Sequence, residues 1–192
     1  VTSVIAFREK VFDFKIGKLR PIEKHDMIST YITYEFPEPI KEIQDEISKL
    51  ISSIFNDPEV LNYFWDYVAK CLYTNHEEQF HIWAGVGGNG KGIILKLLSE
   101  ALQGFLGQMG GTFLTKANTG DTQSELMSCK NKRMVFVTEP EGDGKKNQLN
   151  FSFIKALTGG DKIFGRTLFS EPEEYTPKFN LFLQANTIPD LP

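Results

Sequence analysis

Cysteine, histidine and long apolar runs are all scarce in this 192-residue sequence. The two cysteines, Cys71 and Cys129, stand in unrelated contexts with no Cys-x-x-Cys or Cys/His spacing. That excludes a thiol-built metal cage and fits reduced, partly buried side chains. No stretch reaches the roughly 18 consecutive apolar residues that signal a membrane span. The start at Val1 carries no charged-then-apolar leader, so a soluble, intracellular protein without membrane contact is expected. A basic excess is also missing, the net charge being −4. This argues against a protein that coats nucleic acid nonspecifically, although a channel lined by a few basic side chains needs no basic total. What is present, 41% hydrophobic and 24% charged residues, is the composition of one or two ordinary folded domains.

Along the chain, Val4 to Phe14 has the pattern of a short hairpin, with Ile5, Phe7, Val11 and Phe14 flanking the polar turn Arg8 to Lys10, and a second turn follows at Gly17. Prolines 21, 37 and 39 punctuate the next stretch, where the β-branched and aromatic run Ile28 to Phe36 is the one extended candidate. Residues 1–40 are therefore expected to form a β-rich lead-in, the tail of a preceding region. Ile43, Ile47, Leu50, Ile51 and Ile54 then recur at helical spacing, and Asn56-Asp57-Pro58 ends one helix and starts another. The second helix should carry Val60, Leu61, Phe64, Trp65, Val68 and Leu72 as its core stripe. A helical segment over 41–78 precedes the main domain, 79–192.

That domain opens with Gln79 to Ala84, a short apolar strand whose lone His81 has no carboxylate or thiol placed beside it and is assigned no chemistry. Directly after come Gly85-Val86-Gly87-Gly88-Asn89-Gly90-Lys91-Gly92 and the apolar helical run Ile93 to Leu102. Strand, glycine loop and helix in this order make a Walker A phosphate loop. Its glycines let successive N–H groups face a phosphate, the helix turns its positive dipole end to the same point, and Lys91 brings a cation to the β- and γ-phosphates. Residues 85–92 are thus the ATP-binding candidates. The residue after Lys91 is Gly92, where a hydroxyl ligand for magnesium is usual.

Two further strands carry chemistry at their ends. Met134 to Glu139 is four apolar residues closed by Thr138 and Glu139, a Walker B form in which Glu139 could orient and deprotonate an attacking water. Thr138 replaces the usual first acid and could reach magnesium through a water. Phe179 to Ala185 is a strand ending at Asn186, whose amide is suited to a γ-phosphate or the lytic water. Between them, Phe151 to Arg166 reads as an amphipathic helix closing at Gly159-Gly160 and then a strand, with Lys155, Lys162 and Arg166 as its basic residues.

The ordered series GVGGNGKG, KRMVFVTE, IKALTGGDKIFGRTLF and FNLFLQANTIP resembles the helicase domain of poxvirus-type primase-helicases, a branch of the superfamily-3 helicases of large DNA viruses, phages and plasmids. The likeness covers Gln79 to Pro192, and Ala6 to about Leu72 is similar to the region preceding that motor. The resemblance implies an α/β fold, an AAA+ P-loop NTPase core broken off after the sensor strand and preceded by a helical pair and the β-rich lead-in. It implies ATP and magnesium as cofactors, single-stranded or forked DNA as partner, a hexameric ring, a primase domain upstream, and residence in host cytoplasm or at a site of virus replication. Carried over by position, Lys91 is the Walker A lysine, Glu139 the Walker B carboxylate and Asn186 the sensor amide. Lys155, Gly159, Gly160, Asp161 and Arg166 match the pattern between Walker B and sensor. The DNA-contacting hairpin maps to Arg166–Lys178 with the acidic stretch Glu171 to Glu174 expected at its tip, and Lys155, Lys162 and Arg166 are the DNA-binding candidates. The arginine finger of the family would lie beyond Pro192. Two readings outside a helicase stay open from the residues alone: a P-loop nucleotide kinase, and an ATP-binding assembly module that does not hydrolyse.

Overall fold

A computed structural model describes residues 3–73, 77–115, 124–138 and 149–189. The chain divides into two compact units, Val1–Asn75 with Asn89–Phe105, and His76–Gly88 with Leu106–Pro192. The chain passes from one to the other inside the glycine loop, between Gly88 and Asn89.

In the first unit the predicted hairpin forms and gains a third strand. β1 (Val4–Ala6), β2 (Lys10–Asp13) and β3 (Lys18–Pro21) make an antiparallel meander, with Val11 opposite both Ala6 and Arg20. The turn into β3 uses Gly17 at φ +64°, a left-handed backbone that glycine adopts without strain. Alternation buries Val4, Ala6 and Val11 against Ile28. The run Ile28 to Phe36 does not form a strand. Ile32 is hydrogen-bonded to the sheet, its N–H donating to the Ala6 carbonyl at 2.8 Å, and Phe36 lies edge-on to Phe7 and stacked on Phe12. The prolines at 37 and 39 lack the donors a continuing ladder would need.

Three side chains lock this meander. Arg20 donates from Nε to Asp13 Oδ2 at 2.9 Å and forks onto Asp26 at 2.8 and 2.7 Å, the bidentate arrangement in which guanidinium and carboxylate geometries match. Asp26 is buried and also accepts the Glu23 N–H. Hydrogen bonding to Arg20 is the main reason both carboxyls are held below their ordinary range, Asp26 the more strongly.

Helices α1 (Lys41–Ile54) and α2 (Pro58–Leu72) are joined where expected: Asp57 caps α2 by accepting the Glu59 N–H at 2.8 Å, and Pro58 occupies the first turn. Their buried faces differ from the expected ones. α2 buries Phe64, Tyr67, Val68 and Cys71, whereas Val60 and Trp65 are 48% and 40% exposed. In α1 only Ile51 is fully buried, and Ile43 and Leu50 lie open. An i, i+3, i+4, i+7 set satisfies either stripe, and the packing partners choose between them. Helix α3 (Lys91–Leu102) completes the unit. Its C-terminal end is gripped by the lead-in: Gln103 Oε1 accepts from the Thr33 N–H at 2.8 Å and its hydroxyl at 3.0 Å, and Tyr34 donates to the Ala101 carbonyl at 2.6 Å.

The second unit is built on a four-stranded parallel sheet in the order β4 (Phe80–Ala84), β9 (Asn180–Ala185), β6 (Met134–Thr138), β5 (Leu106–Met109). This is the α/β architecture with a parallel sheet that the motif order predicts. The central strands are apolar on both faces, as parallel strands are. Val135, Val137, Leu181 and Leu183 enter a core with Leu114, Cys129, Leu157 and Phe179. On the opposite face Phe136 stacks on Phe182 at 4.5 Å, with Trp83 against both. Short helix α4 (Ser124–Ser128), α5 (Phe151–Thr158) and a hairpin of β7 (Ile163–Gly165) and β8 (Glu173–Tyr175) complete this unit. α5 starts on the Asn150 side chain, which accepts the Phe153 N–H, and ends at Gly159 as its Gly-Gly pair predicts.

Because Asp13 and Asp26 have folded pKa values below the unfolded ones, their contribution is fully present above the unfolded carboxylate range near about pH 4 and is lost as pH falls through the folded values. Thermal melts are expected to show the first unit destabilised progressively below that pH. Asp26→Asn should lower the neutral-pH midpoint and remove most of the acid slope. An unchanged slope in that variant would mean the acid sensitivity arises elsewhere.

Candidate active site

Four strands running in one direction deliver their C-terminal ends to one edge of the sheet, where ligand sites of open α/β folds lie. At that edge β4 passes into Gly85, β9 into Asn186, and β6 ends at Thr138. The register aligns them: Ala84 faces Ala185, and Thr138 faces Gln184. A Gly85 N–H to Ala185 carbonyl bond at 3.3 Å carries the β4–β9 pairing one residue into the loop. The Thr138 hydroxyl, at an exposed strand end, lies 3.5 Å from the Met109 carbonyl of β5. The sheet thus brings Gly85, Thr138 and Asn186 to one edge. Glu139, and Glu141 behind it, lie outside the described residues.

The loop has two left-handed positions, Gly88 at φ +79° and Gly90 at φ +90°, where any other L-residue would be strained. Among the described residues, nothing lies within 4 Å of where a Cβ at Gly87 or Gly88 would be. Lys91 opens α3, and its Nζ donates to Asn89 Oδ1 at 2.9 Å, folding the ammonium back toward the loop. The Gly90 carbonyl accepts from Ile93 and Ile94 at 3.0 and 3.1 Å, so the helix starts at the residue after the glycines. First-turn amides have no acceptor inside their own helix, and the helix dipole adds partial positive charge there, which suits an anion. Gly92 lies in this turn, and a Cβ on it would also meet nothing. Among the described residues no group of three or more His, Cys, Asp or Glu is placed to hold a metal. Magnesium carried by a nucleotide needs only one or two protein ligands, and the exposed Thr138 hydroxyl is a described group suited to serve it.

Gln184 is a site-edge residue the sequence reading missed. It follows the apolar run of β9, pairs in register with both Trp83 and Thr138, and has a buried Oε1 with no hydrogen-bond partner among the described residues. One polar residue in an apolar strand, two before Asn186, was the available signal. His81 lies at 5.3 Å against the Phe182 ring, and burial pushes its pKa down, in keeping with a packing role.

The basic candidates lie on α5 and the hairpin. Lys155 is exposed in the last turn of α5, where a cation also complements the helix dipole. Lys162 is exposed and ion-paired to Glu174 at 3.0 Å. Arg166 is exposed immediately after β7. The expected acidic tip is corrected by the structure. Glu173 and Glu174 belong to strand β8, paired with Lys130 and Lys162, because Gly165 pairs with Glu173 and so places the turn at residues 166–172. The tip itself is apolar and aromatic. Thr167 and Ser170 close a tight turn through their hydroxyls at 2.6 Å, and between them Leu168 is exposed and Phe169 wholly so, at φ +63°.

No protein-family model matches this chain. It is 30% identical over 193 residues to "Putative helicase L207/L206" of Acanthamoeba polyphaga mimivirus, covering 98% of this chain and 20% of that protein. It is 26% identical over 197 residues to "Putative helicase 121R" of Invertebrate iridescent virus 3 (98% and 21%), and 22% identical over 197 residues to "Putative helicase V13" of Sputnik virophage (97% and 24%). The chain therefore spans about a fifth to a quarter of the length of these relatives. Among solved structures it is similar to the apo NrS-1 C-terminal region, with TM-score 0.62, 18% identity and coverage of 78% of this chain and 35% of that one. It is also similar to the JCV helicase with a small molecule bound, with TM-score 0.50, 14% identity, 73% and 39%. At these identities the structural likeness speaks for the fold. No described helix is long and apolar enough to cross a membrane.

The open space at Gly92 yields a prediction. Gly92→Ser is expected to keep or slightly raise the thermal midpoint, since glycine inside a helix costs roughly 0.5–1 kcal/mol relative to alanine. It should also lower the magnesium concentration needed for half-maximal nucleotide binding. A lower midpoint would show that the first turn of α3 is more crowded than its geometry indicates.

Proposed function

We propose that this chain is a viral helicase domain of superfamily-3 type, the ATP-binding core of a replicative DNA helicase motor whose hydrolysis drives movement along single-stranded DNA. The observation that carries the reading is the glycine loop with two left-handed residues running from a parallel strand into a helix that begins at Lys91, while the tips of β6 and β9 bring Thr138 and Asn186 to the edge the loop leaves. When bound, ATP with magnesium would supply the scissile phosphoanhydride. Lys91 and the first-turn amides of α3 would then hold the β- and γ-phosphates. Glu139 would take the proton of the attacking water, Asn186 would donate to that water or to the γ-phosphate, and Thr138 would reach the metal through a water. DNA would be contacted from the β7–β8 hairpin by Arg166, with Lys162 and Lys155 flanking it, in a ring of six copies.

The arginines weigh against a nucleotide kinase, which needs several to hold its acceptor phosphate. Of the four in the chain, Arg20 is locked between Asp13 and Asp26 and Arg133 is buried. Arg8 and Arg166 are left exposed.

Lys91→Ala in the full-length protein should abolish measurable ATP binding or turnover while the fold survives; normal affinity and turnover in a folded variant would overturn the phosphate-loop assignment. Glu139→Gln should retain nucleotide and magnesium but lose on the order of a hundredfold or more in turnover, the scale of general-base removal. Equal hydrolysis with Gln there would move the base to another carboxylate, Glu141 being the nearest in sequence. For DNA, Arg166→Ala should weaken single-strand binding at every sequence and flatten the log–log salt dependence by about one unit. Lys162→Ala, already neutralised by Glu174, should do less. Unchanged salt slopes in both would place the DNA path elsewhere.

A further inference from the structure

A side chain far from the glycine motif in sequence reaches into it. Ile54, the last residue of α1, packs directly on Gly90: a Cβ built on that glycine would lie 2.6 Å from Ile54 Cγ1, 2.7 Å from Cδ1 and 3.1 Å from Cγ2. Gly90 is therefore constrained twice, by its φ of +90° and by the branched side chain lying over its Cα. At Gly87, Gly88 and Gly92 nothing comes within 4 Å, so the contact singles out the glycine that starts α3.

Ile54 is itself held firmly. Its neighbour Phe55 donates back to the Ile51 carbonyl at 3.3 Å and lays its ring against Phe64 of α2 at 5.0 Å, and Ile51 is fully buried. A β-branched side chain has few rotamers to lose, which makes it a stiff stop. At the other end of α3, Thr33 and Tyr34 hold Gln103 and Ala101, and the Thr30 methyl lies 2.7 Å from where a Cβ on Gly104 would be. The segments before the sheet thus hold the phosphate-loop helix at both ends.

We infer that Ile54 is a positioning residue for nucleotide binding, fixing the Gly90 backbone so that the first-turn amides of α3 are aligned before phosphate arrives. This rests on the phosphate-loop reading above. Glycine has the most conformational freedom to lose, and a loop ordered only on binding spends part of its interaction energy on that ordering.

The test is a double-mutant cycle in the full-length protein, with MgADP and MgATP affinity read by titration calorimetry and the fold by thermal melts. Ile54→Ala should weaken both nucleotides by about tenfold, the effect of removing pre-organisation, and Ile54→Val should recover most of the loss. Gly90→Ala alone should bind worst. Combined with Ile54→Ala it should bind more tightly and melt higher than alone, because the collision is gone and only the φ strain remains; an isoleucine that served only the fold would move the midpoint in these variants and leave affinity unchanged. Val11→Ala, in the meander, should lower the midpoint without moving affinity. If Ile54→Ala fails to fold, Ile54→Ser paired with Gly90→Ala decides by the same relief, since its single γ atom can turn away from the collision that valine, keeping both γ carbons, would retain. The inference is overturned if folded Ile54→Ala binds both nucleotides as wild type does, or if the double variant shows no relief in affinity. Should the wild type itself fail to bind MgADP, or Lys91→Ala bind normally, the nucleotide reading falls and this inference with it.

Discussion

A parallel sheet can be closed only by connections that return each strand to the same starting edge, so every strand must leave by the other edge. That constraint governs this molecule. β4, β6 and β9 share no local sequence likeness, yet their ends, Gly85, Thr138 and Asn186, are brought to one edge by the pairing of Ala84 with Ala185 and of Thr138 with Gln184. The apolar interior of the sheet serves the same end. Phe136, Phe182 and Trp83 on one face and Val135, Leu181 and Leu183 on the other fix the register, because a one-residue slip would exchange the two faces.

The second requirement is a stiff start to α3. Glycines give the loop before α3 its left-handed turns but leave it loose, and stiffness has to come from elsewhere. In the first unit it comes from residues before the motif: Ile54 on Gly90, and the lead-in on Gln103 and Ala101. The lead-in is in turn held by the Asp13–Arg20–Asp26 network. A segment with no chemistry of its own thereby supports the helix that carries Lys91.

The hairpin shows how pairing redistributes charge that a linear reading keeps together. Glu171 to Glu174 is an acidic run in sequence, but β8 takes Glu173 and Glu174 into contact with Lys130 and Lys162. What projects is Leu168 and Phe169, beside Arg166. An exposed aromatic ring suits stacking on an unpaired base, a contact that tolerates any sequence, so an aromatic tip is compatible with the DNA-facing role proposed for this hairpin.

The sequence by itself determined the elements whose signal is local: the first hairpin, the Asp57-Pro58 start of α2, the strand–glycine–helix order at 80–102, the apolar strands at 134–138 and 180–185, and the Gly159-Gly160 stop of α5. Each is written in neighbouring residues as an alternation, a cap or a turn. The same local signal makes Lys91, Thr138 and Asn186 candidates for the site, because phosphate loops and strand-tip groups keep fixed spacing along the chain. Only the tertiary structure decided the rest. It chose the buried faces of α1 and α2, left Ile28 to Phe36 outside any strand, set the hairpin turn at Phe169, and placed Gln184 beside Thr138. It also laid Ile54 on Gly90 across a separation of 36 residues. These depend on which partner a side chain meets, and a periodicity compatible with two faces, or a glycine compatible with open space and with collision alike, carries no record of that partner until the chain has packed.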